Sequence, residues 1–574
     1  MSKLVSRRSL LSNGIKTGIA IIVLKDCSLK AAPLTSNGKA AKDATGPAYK
    51  RLDDFIAQHM RETGAPGMTL AIANRQGVMR VSHYGFADLK AGSRVGPQTL
   101  FEIGSISKSF VAIAMLQLAD EGKIDLHKPV IDYLPWLKID SKYPPFTAHH
   151  LLSHTAGLSG VPLLMRVAAT TLRTGSEPGT RFLYSNIGYV LLGFLLEATD
   201  KRPLADVLAR RVLEPLGMTS SEPVITNDIR ARLATGYGPL LEDRPFPLRG
   251  KLAEAPFLEV PEAAGSVAAT ANDMVAYLQM LLNRGTGPRS RVLSETSFQL
   301  LVKPVISAPF RGEEASYSYG LWISEVEGNK LARHTGGMVA FSSAMHADLT
   351  NGLGVFASVN ANLRSYRPNA VAKYALDLLR ATMRSQDLPD PPPPQPAPDK
   401  IKNAADYAGI FTSPNGKKLV LSSQGERLIL EHNDRRIVLE QAVRDRFIVK
   451  DPDFDLFTLG FGREKELVVE AFHGSDWWTN ERYSGQRNFE YPKEWEAFTG
   501  HYRSDSPWYG STRLVIRKGR LRVGGDQPIT QIEPGVFRPD GDATADRIVF
   551  DTLVNGKAMH MNYSGIDFYR AFTS

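Results

Sequence analysis

Alternating apolar and polar residues near both ends of the N-terminal two thirds of the chain predict two β-hairpins. Residues 69–74 and 78–84 are strand-like and are separated by three turn-forming residues. Residues 342–347 and 353–359 form a second such pair, which meets at Asn351-Gly352, a frequent two-residue hairpin turn. Both pairs are therefore expected to be antiparallel.

Apolar helical stretches lie between the two hairpins. One follows Ser105, running through residues 110–116 to a stop at Gly122, and another covers residues 189–197. Antiparallel strands at both ends with helices between them predict an α+β domain, which we place at residues 48–384.

A proline-rich segment ends this domain. Seven of the eleven residues from Leu388 to Pro398 are proline, a composition that favours an extended, semi-rigid spacer and excludes a helix or a central strand. The alternative is a proline-rich surface loop inside a single domain. We interpret residues 385–400 as a linker.

Short alternating strands follow the linker in a pattern that repeats. Residues 407–411 are echoed by residues 498–502, and residues 474–478 by residues 565–569, in each case 91 positions later. Two equal offsets in the same order indicate an internal repeat. We therefore predict two small antiparallel β-barrels of lipocalin-like form, with β-sandwiches as the alternative. Their bounds are residues 401–490 and residues 491–574.

The first 32 residues resemble a targeting segment. A basic start that includes Arg7-Arg8 precedes the apolar stretch 18–24 and small residues at Ala31-Ala32. Twin arginines in this setting resemble a signal for export of a folded protein, to the periplasm or out of the cell. The alternative is a basic amphipathic arm. A spanning helix or other stable membrane anchor is not expected, because the uncharged run is far shorter than the ~20 residues required.

The net charge does not point to a nucleic-acid partner. The formal charge is +9, but six basic residues and one acidic residue stand in the first 32 positions, which leaves about +4 for the rest. Spread over so long a chain, that charge is too dilute to attract a polyanion. The single cysteine, Cys27, also lies in this segment. The mature chain would therefore offer no disulfide, zinc-thiolate or cysteine-nucleophile chemistry.

The first candidate for chemistry is the pattern from Ser105 to Lys108, at the start of a predicted helix. Residues three apart on a helix share a face, so Lys108 can place its amine beside the Ser105 hydroxyl. A desolvated lysine can take the serine proton, and free N–H groups at the helix start can stabilise an oxyanion. Taken alone the pattern is weak, because Ser36-Asn-Gly-Lys39 also matches it. The plain alternative is an N-capping serine with a solvated lysine.

Two further motifs change this balance. Tyr184-Ser-Asn186 is the only Tyr-x-Asn in the chain, and His334-Thr335-Gly336, followed by Gly337, is the only His-Thr-Gly. Each has a structural alternative: a packed tyrosine, a histidine on a strand edge, or glycines at a bend. All three elements in this order, separated by 79 and 150 residues, favour an active site.

Together these motifs resemble the penicillin-recognising serine hydrolases, the family of class C β-lactamases, D-alanyl-D-alanine carboxypeptidases, D-aminopeptidases and related esterases. The resemblance covers residues 48–383 and includes residues 151–158 and 264–273. We interpret these two segments as packing and helix-entry signatures, and His154 as a structural histidine.

The resemblance implies a role for each motif residue. Ser105 would be the nucleophile, and Lys108 with Tyr184 would share the general-base and proton-shuttling role. Asn186 would orient Lys108 or bind the substrate. The backbone N–H groups of Ser105 and Gly337 would form the oxyanion hole. The reaction implied is two-step acyl transfer through an acyl-enzyme to water, with no metal and no cofactor.

The strand that carries His334, Thr335 and Gly336 would form one wall of the substrate cleft. Efficient β-lactamases and carboxypeptidases of this family carry lysine where this chain has His334, and that cation grips the substrate carboxylate. A histidine at this place is similar to D-aminopeptidases and esterase-like members. The Ser-Asp-Asn of class A enzymes is also replaced by Tyr-Ser-Asn, so the class A glutamate mechanism is not expected.

These features predict an exported hydrolase of small peptides or amides, including D-residue-containing or non-ribosomal peptides. The two trailing barrels are similar to those that follow the catalytic domain of a D-aminopeptidase, and a loop of the last one would cover the cleft. A carboxylic-ester or β-lactam hydrolase is the alternative, because the same acylation serves esters. An alternative of another class is a non-catalytic receptor that stays acylated at Ser105. The sequence leaves the oligomeric state open.

Overall fold

The computed structural model describes residues 42–160, 171–247, 250–310, 312–362, 368–394, 397–540 and 545–572. The predicted targeting segment, with Cys27, and the chance Ser36-to-Lys39 pattern lie outside these ranges. Within them, no helix is both long enough and apolar enough to cross a membrane.

The N-terminal unit is built on one large antiparallel sheet. Its described strands are β1 (Gly67–Asn74), β2 (Gly77–Asp88), β3 (Ser93–Arg94), β4 (Phe101–Glu102), β5 (Ile139–Asp140), β6 (Leu172–Arg173), β7 (Tyr237–Pro239), β8 (Leu252–Glu254), β9 (Ala268–Ala269), β10 (Ile306–Ser307), β11 (Ser316–Tyr317), β12 (Trp322–Val326), β13 (Asn329–Gly337), β14 (Ser342–Asp348) and β15 (Leu353–Val359). Nine of them form the sheet, in the order β10-β11-β12-β13-β14-β15-β1-β2-β3. The pairs β4–β9, β5–β6 and β7–β8 lie outside it.

Helices cover both faces of this sheet. They are α1 (Lys42–Thr63), α2 (Ser107–Asp120), α3 (Ala148–Leu152), α4 (Asn186–Asp200), α5 (Leu204–Leu208), α6 (Glu214–Leu216), α7 (Ala271–Leu282), α8 (Glu295–Leu301) and α9 (Pro368–Met383). The helices α1 and α9 pack on one face, and α7, with α2 behind it, packs on the other. The predicted α+β architecture is confirmed.

The central strands are apolar at consecutive positions because both of their faces are buried. In β1, Met68, Leu70 and Ile72 pack under α1 and α9. The intervening Ala71 and Ala73 face the other core, which contains α2 and α7. A strand between two helical layers therefore shows a continuous apolar run in place of simple alternation.

Both predicted hairpins are present, as the pairs β1–β2 and β14–β15. The turn of the second differs from the prediction, because Asp348 pairs with Leu353 and a four-residue loop separates them. The Asp348 carboxylate accepts the backbone N–H groups of Thr350 at 3.1 Å and Asn351 at 2.9 Å. Gly352 then closes the loop with a φ of +70°. An aspartate that binds the loop backbone thus specifies a longer turn than Asn-Gly alone predicts.

The C-terminal part consists of two β-sheets that differ in closure. The first contains β16 (Gly409–Thr412), β17 (Lys418–Gln424), β18 (Arg427–His432), β19 (Arg435–Val438), β20 (Glu440–Val443), β21 (Arg446–Ile448), β22 (Leu459–Glu464), β23 (Leu467–His473) and β24 (Asp476–Thr479). The second contains β25 (Gly500–Arg503), β26 (Ser511–Arg517), β27 (Arg520–Val523), β28 (Gln527–Glu533), β29 (Val536–Pro539), β30 (Ile548–Val554), β31 (Lys557–Tyr563) and β32 (Ile566–Arg570). The second is a closed barrel, whereas the first stays open between its consecutive strands β19 and β20.

The 91-residue repeat marks equivalent points of these two sheets. Gly409 and Gly500 begin the first strand of each sheet, and both have a φ of +144°. Gly474 and Gly565 lie in the last hairpin of each sheet, with φ values of +57° and +92°. In both sheets the first strand pairs with the last. The repeated residues therefore lie at the first strand and in the last hairpin of each sheet.

The proline-rich segment runs along α1 and α9. The Arg51 guanidinium donates to the carbonyl oxygens of Leu388 at 3.0 Å and Pro389 at 3.2 Å. The Tyr374 hydroxyl also donates to the Pro389 carbonyl, at 3.1 Å. The described residues of this segment form neither helix nor strand, as its prolines predict.

Candidate active site

Ser105 lies in a tight turn between a short strand and a buried helix. After β4, Gly104 adopts a φ of +54°, a conformation that glycine reaches without strain. A 3-10 turn over Gly104–Ile106 then carries the chain into α2. No side chain caps this turn. Ser105 is therefore not the N-capping serine of the alternative interpretation, and it is half-buried.

Lys108 is fully buried, and its amine has three oxygen partners. Nζ lies 3.0 Å from Ser105 Oγ, 2.8 Å from Asn186 Oδ1 and 2.7 Å from the Ala264 carbonyl oxygen. Within the described part of the chain, no carboxylate pairs with it. Burial lowers the pKa of Lys108 well below its usual range. The alternative interpretation, in which Lys108 is solvated, is therefore wrong.

The start of α4 holds Asn186 in place. The Ser185 hydroxyl caps this helix by accepting the Gly188 N–H at 3.2 Å, and it donates to the Ser159 carbonyl at 2.7 Å. The Ser185 N–H donates to His154 Nδ1 at 3.1 Å. Asn186 thus occupies the first helical position, from which its Oδ1 reaches the lysine amine. Two roles were predicted for Asn186, orienting Lys108 or binding the substrate. Its hydrogen bond to the lysine amine corresponds to the first role.

Tyr184 stands over the lysine within a cluster of aromatic rings. Its ring centre lies 5.0 Å from Lys108 Nζ and 4.2 Å from the centre of the His154 ring. The Trp322 ring lies parallel to it at 5.9 Å. Burial raises the pKa of Tyr184, and a hydrogen bond with Ser105 only partly opposes that rise. The phenol is therefore protonated at neutral pH and can donate a proton.

His154 packs against Tyr184 and binds the backbone of Ser185. It is fully buried in a left-handed conformation with a φ of +57°. Burial lowers the pKa of His154 well below its usual range, with Lys108 and His334 adding to the effect. The neutral ring accepts the Ser185 N–H at Nδ1. These contacts fit the structural role that the sequence predicts for it.

His334 is a buried, neutral ring on β13. Its Nδ1 is 2.7 Å from the Thr335 carbonyl oxygen, and its Nε2 is 3.1 Å from the Tyr317 hydroxyl. A carbonyl can only accept, so Nδ1 carries the proton and Nε2 accepts from Tyr317. Burial, followed by the charge of Lys108, lowers the pKa of His334 to about 3. Thr335 is half-buried beside it.

The glycines of β13 bring this strand against the turn that carries Ser105. A β-carbon on Gly336 would lie 1.9 Å from the Ile103 carbonyl oxygen, and one on Gly104 would lie 2.9 Å from the Gly337 nitrogen. The Gly337 backbone therefore lies beside the serine turn. An oxyanion hole built from the N–H groups of Ser105 and Gly337 requires this closeness.

The segment that begins at Ala264 contacts the site directly. Besides the Ala264 carbonyl on Lys108, the Val267 N–H donates to Ser107 Oγ at 3.0 Å, and the Val267 carbonyl accepts the Ile103 N–H at 3.1 Å. The sequence pattern of residues 264–273 predicted packing and helix entry, and it did not predict the contact of Ala264 with the lysine. Gly265 and Ser266, which follow Ala264, are small residues that allow a backbone to approach closely. They were the sequence signal for the contact with Lys108.

The closed barrel contacts the N-terminal unit on two sides of the site. Asp546 accepts a hydrogen bond from the Ser159 hydroxyl, next to the start of α4. Trp508 packs on the turn that follows β13. A further ion pair joins Arg513 to the Asp243 carboxylate at 3.0 Å.

One group with metal-ligand geometry lies outside this site, in the first C-terminal sheet. It consists of His432, Asp451 and Asp453. Arg435 pairs with Asp451 at 2.6 Å, and His432 Nε2 lies 2.7 Å from Asp453. The ligand atoms of this group are therefore already engaged in ion pairs with one another and with Arg435. Among the described residues around Ser105, no comparable group occurs.

Comparison with known proteins identifies the family. The β-lactamase family model matches residues 52–380, more than half of the chain. The chain belongs to the β-lactamase family. Protein Rv1367c of Mycobacterium tuberculosis is 30% identical over 271 residues, which are 41% of this chain and 67% of that protein. A β-lactamase of Providencia stuartii is 29% identical over 240 residues, 40% of this chain and 59% of that one.

The fold of this β-lactamase-family chain also recurs in solved structures. A penicillin-binding protein homologue from Pyrococcus abyssi matches it with a TM-score of 0.54 and 23% identity, over 75% of this chain and 100% of that one. The chain is a serine hydrolase of the penicillin-recognising superfamily, as its motifs predict.

Proposed function

We propose that this β-lactamase-family protein hydrolyses small peptides or amides, including substrates with D-residues, through an acyl-enzyme on Ser105. The observation that carries the proposal is the environment of Lys108. A fully buried lysine, with no carboxylate partner among the described residues, is held beside the serine hydroxyl by Asn186 and the Ala264 carbonyl. Such a lysine is an activating base for the serine.

The two fixed partners of Lys108 determine where its lone pair points. Asn186 Oδ1 and the Ala264 carbonyl can only accept, so each takes one N–H. A neutral amine has two N–H bonds and one lone pair, and the lone pair is left facing the Ser105 hydroxyl. Because burial lowers the pKa of Lys108, this neutral form is available to take the hydroxyl proton.

Acylation also needs a group that delivers a proton to the leaving amine, and Tyr184 takes this role. Ser105 Oγ forms a bond to the substrate carbonyl carbon while its proton passes to Lys108. The N–H groups of Ser105 and Gly337 stabilise the oxyanion. The leaving amine receives that proton through the Tyr184 phenol as the C–N bond breaks. Water next attacks the acyl-enzyme and gives its proton to the same base. That proton passes to Ser105 Oγ as the bond between Oγ and the acyl carbon breaks, which releases the acid and restores Ser105.

His334 bears on the class of substrate. Its ring is neutral, and its Nε2 is already occupied by the Tyr317 hydroxyl. It therefore offers no cation to a substrate carboxylate, and a ligand held by its carboxylate forgoes a charge-assisted hydrogen bond here. This supports amides and peptides recognised through other groups over β-lactams and C-terminal carboxylates.

The closed barrel supports a limit on substrate length. Asp546 contacts Ser159 beside the start of α4, and Trp508 packs beyond the end of β13. A domain that contacts both sides of the cleft leaves less room for a long chain. The Asp546 carboxylate at this edge is only 8% exposed and also accepts the Ser564 hydroxyl at 3.0 Å. Its negative charge suits a substrate with a free amino end.

Labelling with a fluorophosphonate, followed by mass spectrometry, tests the nucleophile. We expect a single adduct on Ser105 and none in Ser105→Ala protein. Ser36→Ala, which alters the chance copy of the same pattern, is the matched control and should label normally. Labelling of another residue would overturn the assignment.

A panel of L- and D-aminoacyl p-nitroanilides beside p-nitrophenyl esters tests the substrate class. Turnover of the anilides supports the proposal. Turnover of esters or β-lactams alone would replace it with the esterase or lactamase alternative. A stable Ser105 adduct without turnover of any of these would favour the receptor.

We also propose that the protein is exported, on the basis of Arg7-Arg8 and the apolar stretch that follows. N-terminal sequencing of protein recovered from the periplasm or medium should show a start after residue 32. Replacing both arginines with lysine should retain the precursor in the cytoplasm. Export of the double variant at the normal rate would contradict the twin-arginine route.

A further inference from the structure

A second cavity lies between the N-terminal unit and the closed barrel, beyond the end of β13. Its volume is about 280 Å³, close to the lower limit of small-molecule pockets. Its walls include residues 338–341, residues 254–258 and Trp508 of the barrel. It is thus enclosed jointly by the catalytic unit and the C-terminal barrel.

Glu102 brings a buried carboxyl to this cavity. The residue is only 7% exposed and lines the cavity wall. Within the described part of the chain, neither a hydrogen-bond donor nor a cation acts on its carboxyl, and burial alone raises its pKa to about 8. Its oxygens are not among the enclosed polar atoms that lack a hydrogen-bond partner, so the unpartnered carboxyl keeps a small accessible surface in the cavity wall. A buried acid in this state lacks the partner that the cavity has room to hold.

The other charged groups at the cavity do not neutralise Glu102. Asp88 and Glu254 are also acidic, and Arg230 is the one cation among the described lining residues. Arg230 is exposed, with its guanidinium 5.3 Å from the centre of the Phe257 ring. Flat apolar faces complete the wall. They belong to Phe257, Phe341 and Trp508.

We propose that this cavity binds a small organic cation, a guanidinium or ammonium group attached to an apolar part. Glu102 is its counter-ion, and the aromatic rings contact the apolar part. A carboxylate without a partner and several ring faces are both favourable to a cation, through charge-assisted hydrogen bonds and cation–π contacts. Glu102 takes no part in the acyl transfer proposed above, so this site stands independently of the reaction at Ser105.

The test compares benzylguanidinium with its neutral isostere, benzylurea, by isothermal titration calorimetry of the full chain at pH 7.5. We expect saturable 1:1 binding of benzylguanidinium and binding of benzylurea that is weaker by about tenfold or more. Glu102→Gln keeps the side-chain volume and should weaken benzylguanidinium to the same extent. Glu295→Gln, which changes an exposed glutamate on α8, should leave its affinity unchanged.

The pH dependence gives a second readout. A guanidinium stays charged throughout the range used, and it binds ionised Glu102, so binding displaces a proton. Affinity should therefore rise by up to about tenfold per pH unit between pH 6 and pH 8. This rise should be absent in Glu102→Gln.

Three results would overturn the proposal. They are equal affinity for the two probes, unchanged benzylguanidinium affinity in Glu102→Gln, and no saturable binding. If Glu102→Gln does not fold, Trp508→Ala serves in its place, and its unchanged affinity would also overturn the proposal. Fluorophosphonate labelling of Ser105 in the same samples separates this failure from a failure of the proposed hydrolase function.

Discussion

Gly336 and Ile103 touch backbone to backbone, because a β-carbon on Gly336 would lie 1.9 Å from the Ile103 carbonyl oxygen. That contact fixes how closely β13 approaches the turn carrying Ser105. A side chain at position 336 cannot rotate away from the overlap, since the β-carbon itself causes it. The two segments would have to separate, and Gly337 would move away from Ser105.

Gly336→Ala should therefore lower kcat/KM by about a hundredfold or more, since a displacement of about 1 Å has that effect on a positioned reaction. Overpacking should also destabilise the protein by about 1–3 kcal/mol. Gly238→Ala on β7 is the matched control, because a β-carbon there meets nothing within 4 Å. Rates and thermal melting temperatures of both variants check this. A fully active Gly336→Ala protein would contradict the close contact.

The pairing of Ser105 with Lys108 could be predicted from the sequence because the two residues are only three positions apart. Three residues on a helix bring Lys108 to Ser105, and this follows from spacing alone. The Ala264 carbonyl could not be predicted in the same way, since every residue has a carbonyl and no side-chain pattern marks the one used. Tyr317 is a similar case, because its bond to His334 depends on the registers of three adjacent strands.

The C-terminal architecture shows a comparable limit. The 91-residue repeat predicted two β-barrels, and the repeated glycines lie near the start and the end of each sheet. The repeat does not determine whether each sheet closes fully, because closure depends on one strand pair. β19 and β20 are consecutive but do not pair, and the first sheet stays open there.

Lys108→Met should reduce kcat/KM by about a thousandfold, within the range expected for loss of a positioned base. Methionine fills a similar volume, but its thioether sulfur is not basic enough to take the serine proton. Lys50→Met, which changes an exposed lysine on α1, is the control and should retain full activity.

The pH–rate profile provides an additional check on Lys108. Because burial lowers the pKa of Lys108, the neutral amine should form on the acid side of its usual range. The wild-type rate should therefore rise with pH through that lowered pKa, and residual activity of Lys108→Met should lack this limb. The same limb in the methionine variant would assign it to another group.

Glu102→Gln should make the protein more stable at alkaline pH. Burial raises the pKa of Glu102 from 4.5 to about 8, so between these values the folded state holds a proton that the unfolded state has lost. The free energy of unfolding of the wild type therefore falls as pH rises through this window. Glutamine cannot ionise and escapes this loss.

Urea unfolding at pH 5 and pH 9 measures the difference between the two proteins. They should be similar at pH 5, and the glutamine variant should be more stable by a few kcal/mol, roughly 2–4, at pH 9. A difference that does not change with pH would show that the burial of Glu102 does not oppose its ionisation.

His334→Lys should shift the substrate range towards carboxylates. The native ring is neutral, and Tyr317 occupies its Nε2, whereas a lysine amine could reach a substrate carboxylate. One charge-assisted hydrogen bond, at about 1.5–3 kcal/mol, corresponds to roughly tenfold or more in kcat/KM. The measurement compares an ester bearing a carboxylate with its methyl ester. An unchanged ratio would mean that the side chain at position 334 does not face the substrate.

Asp546→Ala should weaken the binding of short substrates without disabling the nucleophile. Asp546 lies beside the start of α4 through its contact with Ser159. Loss of its carboxylate should raise KM for an aminoacyl p-nitroanilide with a free amine about tenfold. The N-acetylated analogue should show little change, since it carries no charge to recognise.

The rate of fluorophosphonate labelling separates this role from a structural one. It reports Ser105 and Lys108 directly, so it should be unchanged in Asp546→Ala. Asp551→Ala, on the same barrel where it pairs with His560 at 2.9 Å, controls for a general effect on the barrel. If labelling falls together with kcat, Asp546 acts by positioning Ser185 and Tyr184 through Ser159. If KM alone responds, and only for the free amine, the carboxylate belongs to the substrate cleft.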